Sequence, residues 1–457
     1  MLLLKTLLTK KPEKNVKPMV DNYVPDTERI DQNLSDMIRI QTVSTKENTY
    51  LDNMYKMHEY VLSRFTNIAK VCELKDYNGG MMIKWTGKTD HIKPLVLMSH
   101  LDVVPAKGEW EKDAFSGEVK DGVIWGRGAV DTKGPLSAEL EAVDSLIKEG
   151  FTPEQDVYII SSSREEIGGD DVPDMVKDFE KDGIVPAIVI DEGGAVMDGV
   201  MPGMKGRYAM IALSERASTK ILVKAKSIPK KKPTAIRLAD FTKAISKAKI
   251  GKRDFPPIVT EMFTTLAPYM PFALKYLFCN MKIFKGLLLK VLPLASAEAT
   301  AMIGVTISVT YPSDEYTKDL EIGENATIVN LMYTPFVDEK ECIEDIRKVA
   351  EKFDLTIEVV SERPTPQAEP LNTDAYKYVK EINDRIFDDV VTAPFALFGA
   401  TDARHFVGKA DAVIRYAPIY ITREEFKTFH HPNERIHSQS IYDAVRFYRE
   451  FIVAYKK

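Results

Sequence analysis

Several side chains able to bind metal or move a proton stand where apolar runs or glycine turns end. They are His100, Asp102, Asp131, Glu165, Glu166 and Asp191, with His430 near the far end of the chain. Neutral imidazole and carboxylate are ligands that zinc, cobalt or manganese would take. Two histidines with three carboxylates can serve two ions if one carboxylate bridges, and two neighbouring cations activate water and polarise a carbonyl. Glu165 and Glu166 are adjacent, so on extended chain they point to opposite sides. One could then ligate while the other serves as general base. A single strand-end aspartate is more often a cap or turn former, and a single Glu-Glu pair a solvated face. The specificity comes from the coincidence of several such endings. His58 and His91 read as surface residues, and His405 and His437 as undecided.

These residues need strands to carry them. Leu95–Met98 is an apolar run that reads as a buried strand opening into Ser99-His100-Leu101-Asp102. Val123–Trp125 is strand-like and leads through Gly126 and Gly128 to Asp131. Val157–Ser162 runs into Arg164-Glu165-Glu166-Ile167-Gly168-Gly169, and Ala187–Ile190 ends in Asp191-Glu192-Gly193-Gly194. Val71–Leu74 and Met81–Trp85 are further strands, while Leu136–Glu149 and Val172–Phe179 have helical spacing. Strand–helix alternation predicts a layered α/β domain whose ligands bind at the carboxyl ends of the strands.

The character changes near Gly206. Ile221–Ala225, Ala301–Thr310, Ala326–Tyr333 and Leu355–Val360 read as strands, and Thr234–Ala248 and Cys342–Phe353 as helices. Phe255–Ala297 is unusually apolar and dotted with Lys275, Lys282, Lys285 and Lys290. It reads as helices packed inside an insertion, with an amphipathic lipid- or acyl-binding surface as the alternative. Glu362–Glu369 reads as a linker, after which a helix from Asp374, a strand at Ala412–Tyr416 and a closing helix resume the α/β pattern. The expected organisation is α/β, with residues 1–205 and 362–457 forming one domain and 206–361 an inserted α+β domain.

At 457 residues with a net charge of −6, the chain can bury more than one core and offers no long basic face for nucleic acid. The cluster Lys230-Lys231-Lys232 reads as a solvated loop. Cys72, Cys279 and Cys342 are far apart and odd in number, which fits a reducing, cytoplasmic setting. The opening MLLLKTLLTKKPEK is too short for a spanning helix and makes a poor signal peptide. It reads as a frayed or packed segment, with a weak peripheral membrane contact left open.

SHLDVVPA (99–106), the tryptophan and DAFSG at 110–117, DGVIWGRGAVDTKG (121–134), EEIGG (165–169) and HHPNER (430–435) resemble the binuclear zinc amidohydrolases and peptidases. That family includes aminoacylase-1, carboxypeptidase S, carnosinase and the acetylornithine and succinyl-diaminopimelate deacylases. The TDARHF loop (401–406) and IRYAPIYI (414–421) resemble carboxypeptidase S and the secreted N-fatty-acyl-amino-acid hydrolases in particular. The resemblance implies a three-layer zinc-peptidase domain with an inserted lid and dimerisation domain. It implies two Zn2+ (cobalt or manganese as alternatives), bridged by Asp131, with His100 and Asp191 completing one site and Glu166 and His430 the other. Asp102 would orient the His100 ring, and Glu165 would act as general base on a metal-bridging water. Arg404 would contact a substrate carboxylate. The implied activity is hydrolysis of a peptide or N-acyl amide next to a free carboxylate, as in a carboxypeptidase, dipeptidase or aminoacylase.

The departures fall mostly in the inserted domain. Lys224–Lys231 reads KAKSIPKK where the family carries a histidine, Met332 stands at the place of a carboxylate-gripping arginine, and Arg164 replaces an aspartate. A homodimer is expected through the helix Thr234–Ala248 and an edge strand at Ile221–Ala225. Two other readings stay open. One is a metal-holding member that acts as a binding or regulatory protein. The other is a deacylase of amino-acid biosynthesis, against which the long insertion speaks.

Overall fold

The computed structural model describes residues 2–14, 16–46, 48, 50–313, 318, 320, 324–363 and 367–456. In its first part the strands are β1 (Glu73–Tyr77), β2 (Gly80–Trp85), β3 (Leu95–His100), β4 (Val119–Lys120), β5 (Val123–Trp125), β6 (Val157–Ser162), β7 (Ile188–Asp191), β8 (Val196–Asp198) and β9 (Arg207–Ser214). Then come β10 (Ala217–Ala225), β11 (Val305–Thr310), β12 (Asn325–Tyr333) and β13 (Thr356–Arg363), followed by β14 (Val391–Ala396), β15 (Val413–Arg415), β16 (Tyr420–Ile421) and β17 (Arg435–His437).

Among the described residues the large sheet has ten strands in the order β1-β2-β6-β3-β7-β15-β9-β8-β16, with β14 branching from β9. Its centre, β6-β3-β7-β15, is parallel. β3, β6 and β7 are buried along their whole length, so both faces are apolar, as a covered parallel sheet requires. The helix Lys133–Lys148 packs on one face and Asp171–Lys181 on the other, within separate apolar clusters. Parallel strands bring their carboxyl ends to one edge, which collects His100, Ser162 and Asp191.

A second sheet, β11-β12-β10-β13, is antiparallel. The helices Thr234–Ile245 and Glu339–Glu351 cover one face of it through Leu238, Phe241, Ile245, Cys342 and Ile346. This is the inserted α+β unit. β10 is hydrogen-bonded on both sides, to β12 and β13, so the strand expected at an edge is interior and its backbone is already satisfied. The third sheet, β17-β5-β4, ties the chain's last part to the segment leading into Asp131.

Several expectations shift. Where the sequence opens the insertion at 206, Arg207–Ser214 pairs inside the large sheet. Ile258, Val259, Met262, Phe263, Leu288 and Leu292, from the apolar stretch, share the large core rather than the inserted one. The strand expected over Ala301–Thr310 begins only at Val305; Ala301–Ile303 ends the helix Ala297–Ile303, which the Ser296 side chain caps by accepting the Ala299 N–H at 3.0 Å. His58 is buried, with Nε2 2.9 Å from the Gly79 carbonyl, so it is not a surface histidine. No helix among the described residues is long and apolar enough to cross a membrane.

Candidate metal centre

β3 delivers His100 with its ring fully enclosed. His100 Nδ1 lies 2.8 Å from the Asp102 backbone carbonyl. A carbonyl can only accept, so Nδ1 carries a proton and Nε2 is the nitrogen turned toward the carboxylates. Nε2 faces Asp131 Oδ1 at 2.9 Å and Glu192 Oε1 at 3.6 Å. The other oxygen of Asp131 lies 2.9 Å from His430 Nε2, which is also 3.3 Å from Glu166 Oε1. Asp131 therefore stands between two donor groups, His100–Asp131–Glu192 and Asp131–Glu166–His430, whose ligand atoms lie within 4.8 Å of one another in each group.

The donor groups crowd like charges together. Burial opposes charge on His100, but Glu192, Asp102 and Asp131 outweigh it and hold its pKa well above the usual imidazole value. Hydrogen bonds to Asp131 and Glu166 push His430 up to about 10. Burial lifts Glu192 well above the ordinary carboxylate range, helped by Asp131 and Glu165 and offset by His100. Glu166 Oε1 is buried, with His430 Nε2 at 3.3 Å beside it. Two imidazole nitrogens and three clustered carboxylates form a donor set suited to divalent cations.

Residues 96–454 match the family described as Peptidase family M20/M25/M40. The chain belongs to that family. The N-fatty-acyl-amino acid synthase/hydrolase PM20D1 of Xenopus tropicalis is 26% identical over 462 residues, covering 98% of this chain and 88% of the relative. The probable carboxypeptidase S-like 2 of Dictyostelium discoideum is also 26% identical, over 92% of this chain and 84% of the relative. Among solved structures, the M20 family metallo-carboxypeptidase Sso-CP2 of Sulfolobus solfataricus superposes with a TM-score of 0.67 at 17% identity. That superposition covers 94% of this chain and 99% of the other. Human carnosine dipeptidase 1 gives 0.61 at 14% identity, over 93% of this chain and 96% of the other.

The rest of this M20 centre is held by polar groups just behind the donors. Asp102 accepts the backbone N–H of Glu165 at 3.1 Å and of Glu166 at 3.3 Å, and the Ser44 hydroxyl. It thereby fixes the end of β6 against the end of β3. Glu165 and Glu166 lie on a 3-10 turn rather than on extended chain, because the backbone curls back through Gly168. Burial raises the Glu165 pKa well above the usual range, with Asp402, Glu166 and Asp102 adding to it and His100 opposing. The Asp191 carboxylate does not join the donor groups; it accepts the backbone N–H of Glu192 and of Ala403, both at 2.8 Å. Glu192 occupies the place that the sequence assigns to Asp191. The signal was present in the paired acids, since neighbours at a strand end face apart.

Glu434 is the second side chain that residue-level reading passed over. Its Oε1 accepts from the backbone N–H groups of Gly128, Val130 and Asp131 at 3.1, 2.9 and 3.2 Å, while Oε2 pairs with the buried Arg127. The Asp131 loop is thus bound to the loop bearing His430. The His430 backbone is left-handed, φ 55°, uncommon for a residue with a Cβ. Its side chain is half exposed, so the centre opens to solvent on this side.

Arg404 lies outside the donor groups, on the wall of a cavity of about 580 Å³ that Gly168, Arg363 and His405 also line. Arg363, at the end of β13, lies against Gly168: a Cβ built there would meet its Nη2 at 2.3 Å. The inserted unit therefore touches the turn that bears Glu166. Arg216, at the junction of the two units, is buried and donates to Thr306 Oγ1 at 2.8 Å and to the carbonyl of Met332. A guanidinium thus comes within hydrogen-bond reach of the strand position that lacks the family arginine.

Proposed function

We propose that this M20 family member is a metal-dependent hydrolase of a peptide or N-acyl amide bond next to a free carboxylate. The observation that supports this most is the pair of donor groups sharing Asp131. Two zinc ions, or cobalt or manganese, would be held by His100, Asp131 and Glu192 on one side and by Asp131, Glu166 and His430 on the other, supplying Lewis acidity toward a carbonyl and a water of lowered pKa. Glu165 is the general base. Burial raises its affinity for a proton, so it takes one from the attacking water and returns it to the leaving amine nitrogen. Asp102 holds both the His100 ring and the Glu165 backbone, and so positions the base against the donors.

The substrate's carboxylate is assigned to the cavity bearing Arg404 and Arg363, where a bidentate guanidinium pair favours that group. The relatives named for N-fatty-acyl-amino acids and for carboxypeptidase S support an N-acyl amino acid or short peptide as substrate. The free thiols Cys72, Cys279 and Cys342 support a reducing, cytoplasmic setting. A homodimer through an edge strand of the inserted sheet, β11 or β13, belongs to the same reading, and sedimentation velocity tests it.

The test is amine release from a panel of dipeptides and N-acyl amino acids by zinc-loaded protein, beside Glu165→Gln. The variant is expected to keep its metal and lose at least ~10²-fold in kcat, the usual scale for a missing general base. Full activity in Glu165→Gln would overturn the mechanism. No turnover by metal-loaded protein across the panel would overturn the hydrolase reading.

A further inference from the structure

The helix Met281–Ala295 is apolar on both faces. One face, with Met281, Leu288 and Leu292, is buried in the large core. The other carries Ile283, Leu287, Val291 and Leu294, spaced four, four and three apart, which is one stripe of a helix. These side chains face solvent: Ile283 is 63% exposed, Leu287 and Val291 49% each, and Leu294 86%. Apolar stripes on two sides of a helix each call for a core or a lipid phase, and this helix has a core on one side only.

The N-terminal helix Leu2–Leu8 enlarges the patch. Asn280 Nδ2 contacts Thr6 Oγ1 at 3.2 Å, and Lys275 Nζ donates to the Thr9 carbonyl at 2.6 Å. These bonds lay the short helix along Phe272–Cys279, next to the start of Met281–Ala295. Thr6 faces inward, while Leu3, Leu4, Leu7, Leu8 and Phe272 are exposed. Isolated exposed leucines need no explanation, but a contiguous set on helices in contact does.

The fringe of the patch is basic. Residues 262–297 hold no aspartate or glutamate but carry Lys275, Lys282, Lys285 and Lys290; residues 2–12 are likewise free of acids and carry Lys5, Lys10 and Lys11. Among the described residues, no ion pair engages Lys5, Lys282 or Lys290. We propose that this patch docks the protein in the plane of an anionic lipid surface. Leucines beside lysines match the boundary between acyl chains and acidic headgroups. A second copy seated on the same face would bring lysines against lysines.

The test is co-sedimentation of the full chain with vesicles of phosphatidylcholine alone and of an equal mixture with phosphatidylserine. The protein is expected to pellet with the mixed vesicles and less with the neutral ones, and to be released by salt. Ile283→Ser/Leu287→Ser/Leu294→Ser should lower mixed-vesicle binding at least ~10-fold, on the scale of apolar anchoring lost. Lys282→Glu/Lys290→Glu should reduce it to the neutral-vesicle level. Both variants should keep the parent's melting temperature, because the altered side chains face solvent. Three results would each overturn the proposal: wild type left in the supernatant, variants that pellet like wild type, or a vesicle-free dimer that the serine variant dissociates.

Discussion

Asp191 and Glu192 stand side by side at the end of β7 and face opposite ways. The Asp191 carboxylate is occupied by two backbone N–H donors, of Glu192 and Ala403, while Glu192 Oε1 comes within 3.6 Å of His100 Nε2. A carboxylate satisfied by the backbone holds a loop in place; one aimed at an imidazole nitrogen is placed to share a cation with it. Glu192→Gln is therefore expected to lose part of its metal on dialysis and to bind zinc at least ~10-fold more weakly, which elemental analysis and chelator competition measure. Asp191→Asn should retain the metal and lose about 1–3 kcal/mol of stability through its weakened backbone contacts. The opposite pattern would make Asp191 the ligand.

Glu434 acts at one remove from the donors. It collects the N–H groups of the Asp131 loop and sits fully buried against Arg127. Glu434→Ala leaves a buried guanidinium without its partner, which typically costs about 3–5 kcal/mol. Urea denaturation in excess chelator should show that loss even without metal, because the pair braces the fold itself. A loss seen only in the metal-loaded protein would restrict Glu434 to serving the ions.

How much of this was legible in the sequence follows from where the information lies. β3, β6 and β7 are unbroken apolar runs, so the strands and the polar residues at their ends could be read directly. β14 was not, because Pro394 argues against a strand; it is tolerated where, among the described residues, the strand pairs on one side only, with β9. β9 itself follows the compositional change near Gly206 and joins the large sheet only through partners distant in sequence. Glu165 and Glu166 looked like an extended pair, and only the curl back through Gly168 shows them on a turn. Arg363 could not be found at all, since its nearness to Gly168 depends on how the inserted unit closes on the large one.

The carboxylate assignment makes a kinetic prediction. If Arg404 and Arg363 hold the substrate's carboxylate in ground and transition state alike, replacing either with Gln should raise KM with little change in kcat. Hydrogen bonds to charged groups are worth about 1.5–3 kcal/mol, so the rise should be roughly 10- to 100-fold. Wild type should show the same loss toward a substrate whose carboxylate is amidated. A fall in kcat at constant KM would move these arginines from binding to catalysis.

His405 lines the same cavity, and its titration predicts how stability depends on pH. Burial, reinforced by Arg404, Lys409 and Arg363, lowers its pKa from the usual 6.5 to about 4. Between those values the unfolded chain binds a proton that the native chain refuses, so stability falls as pH drops through this window. Above about pH 6.5 the ring is neutral in both states and contributes no slope. Thermal melts taken from neutral pH down toward pH 5 should therefore decline less steeply for His405→Gln than for wild type. Removing one cation should restore part of the difference, so Lys409→Gln should flatten the wild-type slope while leaving the ring in place. Parallel slopes for wild type and His405→Gln would mean that the ring titrates normally and that the surrounding cations are screened by water.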